Sequence, residues 1–217
     1  MKMTDVKSED QLLNLMSSFD QTEGQTIYEH GLSVWDFAKR LYAGQFDGMR
    51  IPDWFQENRF TIAVQIIPFS AMKRYCIYHD CSKPLCMEVG EDGKVRFPNH
   101  ASISARLYSQ IFPDDCDGAW LTNNDMALHT LKASEIEKMC KLNRKELMFS
   151  LIISAFAEVH SNAKMFGGIE SNSFKMKWRK VNQRSKQIFK YFTEESTSID
   201  SLQTRTDWFS FLVTRSL

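Results

Sequence analysis

The sequence contains no run of about 18 apolar residues, so it lacks a stretch long enough to cross a bilayer as a helix. Its N-terminal segment carries Lys2, Asp5 and Lys7 where a secretory signal peptide would have an apolar core. Basic and acidic residues number 27 each, which leaves no net charge to attract nucleic acid or an anionic membrane. We therefore expect a soluble cytoplasmic protein that does not bind membranes.

The sequence also lacks the cysteine spacing of disulfide-rich and zinc-binding proteins. The five cysteines are an odd set, and no two of them form a Cys-x-x-Cys pair. This usage is typical of reduced thiols in a cytosol and argues against a disulfide framework or a structural zinc knuckle.

A chain of 217 residues is long enough for one domain with a buried core. We predict an N-terminal cover segment over residues 1–25, a main domain over 26–168, and a C-terminal helix and tail over 169–217 that packs on the domain. The tail begins with a basic helix over 174–191, interpreted mainly as a solvated face. Its last apolar residues are expected to dock on the body or on a second subunit; they are Trp208, Phe209, Phe211 and Leu212.

Apolar residues recur at spacings of three and four along most of the chain, which predicts an all-α bundle. Residues 44–58 are polar with Gly44, Gly48 and Pro52, and predict a loop. Asp125 and His129 are expected one turn apart on a single helix. The predicted helices cover 26–42, 59–79 with a break at Pro68, 100–111, a stretch containing 124–129, and 144–166.

One short β-hairpin is predicted near residues 87–97, because Asp92-Gly93 separates two extended-looking arms. The hairpin could be a plain connection or a flap over the nearby His79-Asp80 pair. The pattern does not choose between the two, and no other β-structure is predicted.

Several polar residues fall on faces that the periodicity turns inward. Imidazole and carboxylate groups are the ligands that divalent transition metals use, and helices of a bundle can bring them together. A buried acid such as Glu158 costs several kcal/mol unless it is paired or bound to a cation. These residues predict a metal site; they are His30, His79, Asp80, Lys83, His100, His129 and Glu158.

The order of these residues resembles the HD-domain superfamily of metal-dependent phosphohydrolases over about residues 26–165. Tyr28-Glu-His30-Gly-Leu-Ser-Val is similar to the first helix of that family, and Tyr78-His-Asp-Cys-Ser-Lys-Pro84 to its signature. Pro98-Asn-His100-Ala-x-x-Ser-Ala and Leu128-His129 resemble the further histidine segments of its two-metal branches. One position departs from the family, because Glu158 stands where the last ligand is usually an aspartate.

The resemblance implies roles for these residues. His30, His79, Asp80 and Glu158 would hold a first metal ion, and His100 and His129 a second ion that shares Asp80. Asp80 and Lys83 would be the catalytic residues. If Glu158 is not the last ligand, Asp125 or His160 becomes the candidate, although His160 is expected to face the other way. Candidate substrate-binding cations are Lys83, Arg106, Lys132 and Lys164.

The resemblance further implies one or two divalent ions (Mn, Fe, Mg, Co or Zn) and hydrolysis of a phosphoester or phosphoanhydride bond in a nucleotide. A nucleotide phosphatase or triphosphohydrolase is the first expectation, and a cyclic or oligonucleotide phosphodiesterase is the alternative. A third interpretation is a catalytically weak HD-like protein whose basic helix binds nucleic acid or a protein partner. Homo-oligomerisation also stays open.

Overall fold

The computed structural model describes residues 3–22, 24–93 and 95–203, and the side chains of these residues through 194. The described chain is mostly helical with two small antiparallel strand pairs, so the predicted all-α class is confirmed. The four C-terminal apolar residues expected to dock, from Trp208 to Leu212, lie outside the described residues. The helices are α1 (Glu9–Ser17), α2 (Ile27–Ala43), α3 (Asp53–Ala63), α4 (Phe69–Tyr78), α5 (His100–Ile111), α6 (Cys116–Asn123), α7 (Ala127–Thr130), α8 (Ala133–Leu142), α9 (Lys145–Ser161) and α10 (Asn172–Gln203).

The central helix is α9, which is buried on nearly all sides from Leu147 to His160. A helix that is apolar all round belongs inside a bundle, and α2, α6, α7 and α10 all pack on this one. Helix α1 adds Leu12, Leu15 and Met16 to the same core. In the described part of the chain, no helix is both long enough and apolar enough to cross a membrane.

Helix α2 is fixed at both ends and against a neighbour. Thr26 and Glu29 form a capping box, in which the Thr26 hydroxyl accepts from the Glu29 amide and the Glu29 carboxylate accepts from the Thr26 amide. Gly44 ends the helix at a positive φ of 77°. In the middle, Gly31 faces the backbone of Ile77 on α4, so closely that a β-carbon at Gly31 would lie 2.1 Å from the Ile77 carbonyl oxygen. The close approach of α2 to α4 therefore requires a glycine.

The strands form two hairpins. β3 (Glu88–Val89) pairs with β4 (Val95–Arg96), which confirms the predicted hairpin. A second pair joins β1 (Asp20–Thr22) to β2 (Gln25–Thr26) immediately before α2. The sequence did not predict this pair, because its strands are two and three residues long and have no apolar alternation.

Three local predictions are wrong. The helix predicted over 144–166 ends at Ser161, where Asn162 is its C-cap. Residues 53–58 belong to α3 rather than to a loop, because Pro52 occupies the N-cap, where a proline costs no helical hydrogen bond, and Phe55 and Ile62 of α3 are buried. The single helix through Asp125 and His129 is instead two helices, α6 and α7, with Asp125 in the turn between them. Asparagine and aspartate compete with helical hydrogen bonds through their side chains, and Asn123-Asn124-Asp125 is the point where the helix ends.

We expect Gly31→Ala to destabilise the protein by about 3 kcal/mol, because the added methyl group meets backbone that cannot rotate away. Chemical unfolding followed by circular dichroism measures the change. Ser33→Ala, two residues further along the same helix, is the matched control and should stay close to the wild type. Equal stability of the two variants would contradict the tight approach of α2 to α4.

Candidate metal centre

Four predicted ligands meet where three helices end. His30 lies in the first turn of α2, His79 caps the C-terminus of α4 and is followed by Asp80, and Glu158 lies in the last turn of α9. The Nε2 atoms of His30 and His79 each lie 3.2 Å from Glu158 Oε2. Asp80 Oδ2 lies 3.3 Å from His79 Nε2 and 3.7 Å from His30 Nε2. All four ligand atoms lie within 4.8 Å of one another, close enough to bind one ion.

Neighbouring groups orient these ligands. His79 Nδ1 donates to the Cys76 carbonyl at 2.9 Å, which leaves Nε2 facing the cluster. His30 Nδ1 lies 3.2 Å from the Ser161 hydroxyl. Asn162 donates to Glu158 Oε1 at 2.7 Å, so that Oε2 is the oxygen turned to the histidines.

The unsatisfied atoms of this cluster fit a divalent cation. Within the described structure, the Nε2 atoms of His30 and His79, both oxygens of Asp80 and Oε2 of Glu158 are buried and make no well-aligned hydrogen bond; apart from Lys83 beside Asp80 Oδ2, they mainly face one another. Buried polar groups without partners are costly and uncommon. An ion bound by two imidazoles and two carboxylates would satisfy these atoms together, and this donor set suits transition metals. The cluster could therefore hold a metal ion.

A second group with the spacing of metal ligands shares Asp80. His100 Nε2 lies 3.7 Å from Asp80 Oδ1 and 4.0 Å from Asp125 Oδ2. Burial and the nearby Asp80 carboxylate raise the pKa of the Asp125 carboxyl to about 8. From the sequence, Asp125 is a candidate ligand only if Glu158 is not one. Its position beside His100 depends on the turn between α6 and α7, which the sequence did not predict.

His129, the other ligand predicted for a second ion, belongs to neither group among the described residues. It lies on α7, where its Nε2 atom is buried without a hydrogen bond and burial lowers its pKa. The structure therefore brings together five of the six predicted metal ligands, with Asp125 beside them.

Lys83 lies at the open side of the centre. Its Nζ atom is 2.5 Å from Asp80 Oδ2 and donates to the Gln21 side chain at 3.1 Å. Burial would raise the pKa of the Asp80 carboxyl, but the Lys83 ammonium and the His79 imidazole outweigh burial and hold that pKa well below its ordinary value. The side chains of Glu158, His100 and Lys83 are 21%, 18% and 12% exposed, whereas His30 is fully buried. A ligand would enter on this side.

The other predicted cations lie farther out. Lys164 lines a pocket beside the centre. Arg106 is exposed on α5 and Lys132 is exposed at the start of α8. In the described part of the chain, no ion pair joins either of them to the two ligand groups.

His160 is turned away from the centre, as predicted. Its Nδ1 atom donates to the Phe156 carbonyl at 2.6 Å, and its Nε2 atom accepts from the Arg50 amide at 3.0 Å. Because both ring nitrogens are used, His160 ties α9 to the segment after α2 and has no lone pair left for a metal.

Comparisons of the chain with protein-family models, with curated proteins and with solved structures found no match. The site is therefore interpreted from its own geometry.

We expect Glu158→Gln to lower the affinity for Mn²⁺ at least tenfold, because the change removes a charged ligand oxygen from the first group. Isothermal titration and elemental analysis of the purified protein measure the loss. Glu146→Gln changes the same residue type three turns earlier on α9 and should bind metal as the wild type does. Equal affinities in the two variants would remove Glu158 from the ligand set.

His160→Ala should lower the stability of the protein and leave its metal binding unchanged. It leaves the Arg50 amide without its acceptor, which should lower the free energy of unfolding by about 2 kcal/mol. Metal content should stay at the wild-type level, since His160 does not face the centre. A loss of metal in a folded His160→Ala protein would show that this histidine is a ligand after all.

Proposed function

We propose that this chain is a metal-dependent phosphohydrolase of the HD-domain type that cleaves a phosphoester or phosphoanhydride bond of a nucleotide. One observation carries the proposal: Asp80 presents one oxygen to each of two ligand groups, while the Lys83 ammonium lies against the same carboxylate. A carboxylate shared between two groups is the arrangement that a pair of metal ions needs for phosphoryl transfer. The sequence resemblance described above points to the same chemistry.

When bound at these groups, divalent ions would polarise the phosphoryl oxygens and lower the pKa of a water molecule. The residues of the chain would supply the rest. His30, His79, Asp80 and Glu158 would hold the first ion, and Asp80, His100 and Asp125 a second. Neighbouring hydrogen bonds already orient the three histidines and Glu158, which limits the reorganisation needed at the moment of reaction.

Lys83 would act on the substrate rather than as a metal ligand. Its ammonium lies at the open side of the centre, where it can move from the Asp80 carboxylate to a phosphate oxygen and stabilise the charge that develops there. Gln21 accepts from the same ammonium and limits where it can lie. Lys83 would therefore contact both the Asp80 carboxylate and the phosphate of the entering substrate.

A panel of nucleotides and chromogenic phosphate monoesters and diesters, assayed with Mn²⁺, Mg²⁺ and Co²⁺, tests the proposal. We expect Asp80→Ala to lose metal binding and turnover together. Lys83→Met should keep its metal but lower kcat about 100-fold, because it removes one charge that stabilises the transition state. Lys73→Met, on the exposed face of α4, is the control for Lys83.

Full turnover in a metal-free Asp80→Ala protein would overturn the mechanism. Absence of phosphate release from every substrate, with metal bound at the wild-type centre, would overturn the proposed activity. Preference for diesters over monoesters would favour a phosphodiesterase.

A further inference from the structure

A pocket of about 830 Å³ lies between the β1–β2 hairpin and the turn that follows α9. This volume is within the range of small-molecule sites, about 300–1,000 Å³. We call it the hairpin pocket. The lining residues that matter here are Thr22, Gln25, Glu29, Ser161, Asn162 and Lys164.

The hairpin pocket shares its wall with the metal centre. Ser161 contacts the Nδ1 atom of His30 at 3.2 Å, and Asn162 donates to Glu158 at 2.7 Å, while both residues also line the pocket. From the hairpin side, Gln21 precedes Thr22 and accepts from Lys83. The pocket is thus separated from Glu158 by the Asn162 side chain, and Gln21, the neighbour of a lining residue, contacts Lys83. Glu158 and Lys83 are two of the side chains through which the centre opens.

The charges of the lining limit what the pocket can bind. Glu29 already uses its carboxylate to cap α2 at Thr26. Lys164 is the single cation among the lining residues of the described chain. The remaining polar side chains, which belong to Thr22, Gln25, Ser161 and Asn162, are uncharged hydrogen-bonding groups. A chain of phosphates would find one positive charge here, whereas hydroxyl and amide groups would find several partners.

We propose that the hairpin pocket binds the uncharged, hydrogen-bonding leaving group of a phosphomonoester, which is a nucleoside or a sugar, while the phosphate lies at the metal centre. This inference rests on the proposed function and narrows its substrate to compounds with one phosphate. Hydrolysis would break the bond between phosphorus and the oxygen of the leaving group and form a new bond from phosphorus to a water oxygen. One proton of the water would end on the released hydroxyl group.

Gln25 is the residue to change, because it lines the pocket from the hairpin without contacting a metal ligand in the described structure. The probes are the four nucleoside 5′-monophosphates, ribose 5-phosphate and glucose 6-phosphate, with phenyl phosphate as a reference that lacks a polar leaving group. We expect Gln25→Ala to lower the ratio of kcat/KM for the preferred probe to that for phenyl phosphate about five- to tenfold, the effect of one neutral hydrogen bond. Gln65→Ala is the control: this half-buried residue lies just after α3, its side chain donates to the Thr61 carbonyl, and the variant should keep the wild-type ratio.

A second measurement does not depend on turnover. Nucleosides and free sugars are titrated against the full chain and observed by ligand-detected NMR, and Gln25→Trp, which fills the pocket, is compared with the wild type at equal thermal stability and metal content. Binding to the wild type that Gln25→Trp loses supports the inference. Which compounds bind separates a nucleoside from a sugar.

The outcomes separate this inference from the proposed function. Metal-dependent hydrolysis of phenyl phosphate with an unchanged ratio in Gln25→Ala would overturn the pocket and leave the function standing. Faster hydrolysis of nucleoside triphosphates than of monophosphates would also overturn it. If no substrate is hydrolysed, the proposed function fails, and the titrations alone decide whether the pocket binds a nucleoside or a sugar.

Discussion

Burial of negative charge at Asp80 and Glu158 is the constraint on which the rest of the structure depends. Removing a carboxylate from water costs several kcal/mol unless nearby positive charge compensates. Here the compensation comes from the Lys83 ammonium and the His79 imidazole, and the His30 imidazole of α2 also lies within 4 Å of the carboxylate oxygens. The N-terminus of α2 and the C-termini of α4 and α9 must therefore lie close together. Gly31 allows α2 to approach α4 closely enough.

The turn after α4 is held from a further direction. The Ser82 amide donates to the Ser104 hydroxyl at 3.1 Å, and the Ser82 hydroxyl donates to the His100 carbonyl at 3.0 Å. These bonds tie the turn that carries Asp80 to the first turns of α5, which also carry His100. A site whose supporting residues are bonded in this way keeps its geometry before a ligand arrives. The two ligand groups are thus mechanically joined through Ser82 as well as through Asp80.

The sequence predicts the site correctly where periodicity and side-chain chemistry agree. His30 was placed inward because it shares the apolar stripe of α2, and Glu158 stood out because an acid interrupts the most apolar helix. The prediction is wrong where a few polar residues determine where a helix ends or a short strand forms. Asp125 reaches the second group only because a turn interrupts the expected helix, and the β1–β2 pair depends on two very short strands whose neighbours in space cannot be read from their spacing.

The β3–β4 hairpin, predicted as a connection or a flap, contacts the centre through its final segment. The four residues of its two strands, Glu88–Val89 and Val95–Arg96, are exposed. Phe97 follows the second strand; its carbonyl accepts from His100 Nδ1 at 2.9 Å, and its ring lies 5.4 Å from the Lys83 ammonium. Because a histidine whose Nδ1 donates presents Nε2 to its other neighbours, Phe97 fixes how His100 faces Asp80. The hairpin therefore contributes to the centre through Phe97, which orients one ligand and contacts one cation.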